Sequence, residues 1–161
     1  MKLYVTEKLF SFHNRFYVKD INGNDVYEIS SKAISFGDKT TIKNMLGEEI
    51  AYIEQQLFHF MPNYNIYMNN RLVCNISKKF QLFKNDYILD NGFRVEGEFL
   101  MLDFSIYDQT NNEIGHIKRN FISIGDKYEI EIKDSKDCYL ILAIIVAIAN
   151  DVNRKQRSNN N

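Results

Sequence analysis

Apolar and polar positions alternate along most of the chain, and the alternation comes in copies. Each copy opens with an apolar–polar–apolar triplet and passes through three turn-forming residues. It then continues with an aromatic or Thr, a spacer, and a β-branched or apolar residue. Phe10-Ser11-Phe12 leads to Phe16 and Val18, Ile34-Ser35-Phe36 to Thr40 and Ile42, and Phe58-His59-Phe60 to Tyr64 and Ile66. Phe80-Gln81-Leu82 leads to Tyr87 and Leu89 with one extra turn residue, and Ile122-Ser123-Ile124 to Tyr128 and Ile130. A degraded copy occupies residues 99–106. The first three copies start 24 residues apart and the next follows after 22; SFGDK at Ser35 and SIGDK at Ser123 are the same turn used twice. Alternation with period two puts both apolar ends of a triplet on one face of a strand, which predicts a core position for residues such as Phe58 and Phe60. Gly37-Asp38-Lys39 and Met61-Pro62-Asn63 suit tight hairpins. Each copy therefore reads as two antiparallel strands followed by a second turn: Asn22-Gly23, Gly47, Asn69-Asn70, Asn91-Gly92 and residues 109–113. Asn, Asp and Gly tolerate the left-handed backbone such turns need.

After several of these second turns a small residue stands two places before an Ile: Ala51 and Ile53, Cys74 and Ile76, Gly115 and Ile117. Both members of a pair share one face of a strand, so something bulky is expected against that face. Six copies of two strands predict a mainly β fold of about twelve antiparallel strands. A sheet of that size closes into a barrel to remove its edges. The lumen of so wide a barrel is too large for its own side chains to fill, and it needs a plug.

Residues 138–149, CYLILAIIVAIA, are uninterrupted apolar chain. As a helix they span roughly 18 Å against a hydrocarbon core of about 30 Å, and Asp137 and Asp151 bound them. A helix apolar on every side belongs inside a core, and Ala143, Ala147 and Ala149 keep this one slim. Ser135 and Asp137 are candidate N-caps. The expected organisation is a single barrel domain over residues 1–153 with a central helix over about 136–153. A disordered polar tail, residues 154–161, is expected to follow.

Composition changes this picture little. The 161 residues are 45% hydrophobic and 25% charged, with a formal charge of −1. That balance gives no global field toward nucleic acid, and none is expected as a partner. Charges at Lys2, Glu7 and Lys8 leave no apolar centre for a signal peptide. The expectation is a cytoplasmic protein with no transmembrane segment, and with Cys74 and Cys138 reduced.

Catalytic chemistry has little purchase. His13, His59 and His116 are scattered and show no zinc spacing, so no metal and no cofactor are expected. A phosphate-binding glycine loop and a nucleophile elbow are both missing. Cys74 shares its repeat position with Ala51 and Gly115 and reads as a small core residue. Glu48-Glu49 sit in a turn, where solvated carboxylates are ordinary. Only the basic pairs Lys78-Lys79 and Lys118-Arg119 suggest a ligand. They occupy corresponding repeat positions, and if neighbours they would form a patch suited to a phosphate or anionic headgroup. The plainer reading is that they keep the barrel soluble.

KLFSFHNRFYVKDINGNDVYEI, SFGDKTTIKNMLGEEIAYIEQQLFHFMPNYNIY, SIGDKYEIEI and LILAIIVAIA cover nearly the whole chain in order. With these stretches the chain resembles the LURP-one-related family, and most of all its small stand-alone bacterial members. That family belongs to the tubby C-terminal-like superfamily, which also includes phospholipid scramblases. The resemblance implies a closed barrel threaded by a helix and little about activity. Tubby proteins hold phosphoinositide headgroups with basic side chains, but no matching basic pair aligns here. The cysteine-rich and calcium-binding segments of scramblases are missing as well. The expected function is a non-enzymatic binding or scaffold protein, peripheral at a membrane. Its expected ligand is an anion such as a phospholipid headgroup, held by Lys78, Lys79, Lys118 and Arg119. The rivals are a protein–protein interaction module, with or without self-association, and an enzyme of unknown type.

Overall fold

The computed structural model describes residues 1–6, 15–34, 37–79, 87–120, 127–133 and 136–159. The strands are β1 (Lys2–Thr6), β2 (Arg15–Lys19), β3 (Asp25–Ile34), β4 (Gly37–Asn44), β5 (Glu49–Gln55) and β6 (Asn63–Met68). They continue as β7 (Arg71–Lys78), β8 (Tyr87–Leu89), β9 (Arg94–Glu98), β10 (Asp103–Tyr107), β11 (Glu113–Asn120) and β12 (Lys127–Ile132). Each pairs antiparallel with its sequence neighbours, and β12 returns to β1 to close the barrel. In the closing pair Leu3 faces Ile130 and Val5 faces Tyr128. The Met1 ammonium donates to the Ile132 carbonyl at 2.6 Å across the same seam.

Up-and-down topology places all odd-to-even connections at one rim, here the upper, and all even-to-odd connections at the lower. Three of the lower turns are built by one recurring device. Asp20 accepts from the amides of Asn22 and Asn24, Asn44 from Leu46 and Glu48, and Asp108 from Thr110 and Asn112. Such a side chain fixes its own turn. Gly23 and Gly47 supply the positive φ, +85° and +84°, at which a Cβ would be strained.

Inward positions are mostly apolar: Val18, Ile29, Ile42, Ile53, Ile66, Ile76, Phe104, Ile106 and Ile117 are among the buried core. Outward positions such as Lys39, Thr41 and Lys43 on β4 are polar and partly exposed. This is the reverse of a membrane-spanning barrel, whose apolar side faces out. After β12 the chain turns at the lower rim and climbs the lumen as α1 (Cys138–Asn159), with the Ile141 amide donating to the Asp137 carbonyl. From Ile141 through Ala149 no residue is more than 2% exposed, so the helix meets barrel on all sides. Of the small residues expected beneath something bulky, Gly115 lies against the helix, since a Cβ added there would come 2.5 Å from Ile141 Cγ2; Ala51 and Cys74 are buried.

Two expectations are corrected. The helix does not end near residue 153; it runs on to Asn159, with Arg154 placed toward Asp151 one turn back (Nη2–Oδ1 3.7 Å) and strong helix formers following. Phe58-His59-Phe60 is not a strand segment with its phenyls in the core. The β5–β6 ladder is closed by the Gln56 amide on the Asn63 carbonyl, 2.8 Å, which leaves residues 57–62 outside the barrel. The triplets at residues 10–12, 80–82 and 122–124, with Ser35, Phe36, Ser135 and the SIGDK turn, lie outside the described residues.

Candidate functional site

Lys78 ends β7 at the upper rim, and strand alternation turns it inward. Its ammonium is 2.7 Å from Asp151 Oδ2, with the two side chains 2% and 0% exposed. Two phenols complete the group: Tyr87 donates to the same carboxylate oxygen at 2.8 Å, and Tyr64 donates to Oδ1 at 3.3 Å. The Lys78 ammonium lies 3.2 Å from the Tyr87 hydroxyl. One level away the Asn150 amide donates to Thr40 Oγ1 at 3.0 Å. Burial pushes the Lys78 ammonium down to about 8, helped by nearby Lys155 and opposed by Asp151. Burial, then the Asp151 charge, pushes both phenols up, so they remain donors. The carboxylate thereby ties the upper end of the helix to β6, β7 and β8.

The four cations expected to form one patch are therefore not together. Lys78 is inside the lumen, a placement its repeat neighbours do not reveal. Lys79 is exposed at the upper rim. Lys118 is exposed on β11 and lies 3.7 Å from Glu129, which also holds Lys2 at 3.0 Å. Arg119, beside it, lines a hollow of about 190 Å³ with Glu98, Met101 and Asp103. Strands β8, β9 and β10 separate β7 from β11. Four inter-strand spacings put the two strands about 19 Å apart along the wall, so the pairs occupy different sectors of the barrel.

The histidines divide likewise. His59 is exposed in the β5–β6 loop, and His13 lies outside the described residues. His116, on the outer wall, sits with Nδ1 2.7 Å from Ser105 Oγ and Nε2 3.2 Å from Asp103 Oδ1. The trio has the residue types of a hydrolytic triad. However, Ser105 also donates to Glu113 at 3.1 Å, and it pairs with His116 within the β10–β11 ladder. Sheet amides already paired cannot serve as an oxyanion hole. Cys74 is buried, and burial pushes its thiol up to about 12, far from a reactive thiolate. Among the described residues no group of three His, Cys, Asp or Glu side chains could hold a metal ion.

What the sequence pattern missed is the upper-rim loop. Phe58 and Phe60 are 102% and 92% exposed, and Leu57 beside them is also exposed. Phe58 has φ +66°, a left-handed conformation unusual for a bulky side chain. The Pro62 carbonyl accepts from the Lys78 amide, so the loop stands next to Lys79. Leu100 and Met101, in the β9–β10 connection of the same rim, are exposed as well.

A twelve-stranded meander closed around a buried helix, with a polar knot where the helix leaves, defines a barrel class whose interior is already occupied. The model of the LURP-one-related family matches residues 1–149, and the chain belongs to that family. It is 24% identical over 149 residues to the uncharacterized protein YxjI of Bacillus subtilis (strain 168), covering 92% of this chain and 91% of that one. Its fold is similar to the X-ray structure of an Arabidopsis thaliana protein, with a TM-score of 0.64 at 16% identity over 94% of this chain and 90% of the other. Among the described residues no helix is long and apolar enough to cross a membrane.

Proposed function

We propose that this is a non-enzymatic binding protein that docks peripherally on a phospholipid surface through the upper rim. The loop at residues 57–62 is its apolar anchor, and Lys79 and Arg154 are flanking cations. The exposure of Phe58 and Phe60 carries the reading. Two largely exposed phenyls on one loop mark a contact surface, and aromatic side chains flanked by cations suit the boundary between headgroups and acyl chains. The filled lumen supports it further, since a ligand has to be met from outside. Of the four cations singled out in the sequence, Lys79 belongs to this surface. Lys78 is consumed within the barrel.

The experiment is co-sedimentation at moderate salt with phosphatidylcholine vesicles, with and without phosphatidylserine. Binding to the mixed vesicles, weakened by Phe58→Ser with Phe60→Ser and by Lys79→Glu, is the expected result. Equal pelleting with and without vesicles, or binding indifferent to all three substitutions, overturns it. A protein-interaction module is the second reading, favoured by the opposite rim, where Ile21 and Leu46 are 70% and 86% exposed at adjacent turns. Light scattering and crosslinking, with Ile21→Ser and Leu46→Ser as controls, test that reading separately.

A further inference from the structure

The outer wall between β5 and β6 carries a hollow of about 220 Å³, lined by Glu49, Tyr52, Glu54, Tyr67 and Asn70. It is remote in kind from the upper-rim surface: two rings, two carboxylates and an amide, with no cation among the described lining side chains. Tyr52 and Tyr67 face each other in register, their ring centroids 6.1 Å apart and their planes inclined by 42°. Asn65 Nδ2 donates to the Tyr67 hydroxyl at 3.1 Å and holds that ring in place, and the charge of Lys39 acts on Tyr52. Lys39 also lies 3.2 Å from Glu54 Oε1, so that carboxylate is compensated within the chain. Glu49 has no side-chain hydrogen bond or ion pair among the described residues and is exposed at the edge of the hollow.

We propose that this hollow binds a small quaternary ammonium cation. The face of an aromatic ring is negative, and a cation is attracted when it comes within about 6 Å of the centroid. Centroids 6.1 Å apart let one cation stand within reach of both tilted rings. Glu49 then supplies the counter-charge. The occupant is quaternary because attraction to the two ring faces needs no hydrogen bond. A trimethylated nitrogen has no N–H groups to satisfy and gives up little hydration, whereas a primary ammonium is strongly hydrated. The volume is below the roughly 300–1,000 Å³ of sites for drug-sized ligands, which fits a head group more than a whole metabolite.

Tetramethylammonium chloride titrated into the full chain, followed by the tyrosine ring resonances, tests this without any membrane, so its failure is separate from that of the vesicle experiment. The expected result is saturable shifts confined to Tyr52 and Tyr67 with a millimolar dissociation constant, at least about fivefold tighter than for ammonium chloride at equal ionic strength. Glu49→Gln and Tyr67→Leu each weaken it by at least about fivefold with an unchanged far-ultraviolet spectrum. Choline and glycerophosphocholine, titrated in parallel, distinguish a free cation from a headgroup as the natural carrier. Linear shifts matched by sodium chloride, or saturation unaffected by Glu49→Gln, overturn the proposal.

Discussion

Lys78 on the wall and Asp151 on the central helix meet at 2.7 Å inside the barrel, far apart in sequence and sealed from water. Removing one partner leaves an uncompensated buried charge. Asp151→Leu is expected to lose about 3–5 kcal/mol in urea unfolding, while Lys78→Met with Asp151→Leu recovers a large part of it. In an NMR titration one lysine, Lys78, is expected to lose its proton near pH 8, well below its ordinary 10.5. Losses that simply add in the double variant would mean the two groups are not coupled.

Gly115 and Ile141 set the helix-to-wall distance. A methyl at Gly115 collides with Ile141 Cγ2, so Gly115→Ala is expected to cost about 1–3 kcal/mol by overpacking. Ile141→Ala costs about 2–5 kcal/mol by leaving a cavity. The double variant is expected to lose less than the sum of the two, because one change makes room for the other.

The upper-rim loop separates binding from folding. Phe58→Gly removes an exposed phenyl and relieves the left-handed backbone, so stability is expected to hold or to rise by up to about 1 kcal/mol. Vesicle binding falls in the same variant. Unfolding together with the loss of binding would assign Phe58 a structural role instead.

Acid sensitivity follows from the lower turns. Hydrogen bonds from Asn24 hold the Asp20 carboxyl below its ordinary 3.8, and those from the Asn112 backbone foremost do the same for Asp108. The unfolded chain takes up these protons at a higher pH than the folded chain. The stability they confer is therefore present above 3.8 and drains away as pH falls through the lower folded values. Asn44 does the same work in the sister turn without titrating. Asp20→Asn with Asp108→Asn is thus expected to keep the neutral-pH fold and to lose less stability than the parent below 3.8, measured by thermal unfolding across that range.

The fold was legible because its determinants are local and repeated. Alternation marked the strands, Asn–Gly turns marked the reversals, and the small column of Ala51, Cys74 and Gly115 announced the plug. The polar knot was half-legible. The repeat position after the triplet holds Thr40, Tyr64 and Tyr87, whose hydroxyls face Asn150 and Asp151. In the linear pattern these residues read only as core formers, and Asp151 only as the end of an apolar run. Lys78 was misplaced although alternation from Cys74 and Ile76 carries the inward face on to it; a charged residue at a strand end reads as the point where that alternation stops. The Phe58 loop was misplaced because an alternating triplet looks the same whether or not the ladder reaches it; the ladder stops at Gln56 and Asn63.

All of this depends on one helix touching opposite walls at once. Nuclear Overhauser contacts in the full chain measure that directly. The expected result is Ile141 methyls seen from Gly115 on β11, together with the Asn150 side-chain amide seen from Thr40 on β4. Contacts from residues 141–150 to one side of the sheet alone, or fast amide exchange along that segment, would contradict a helix held inside a closed barrel.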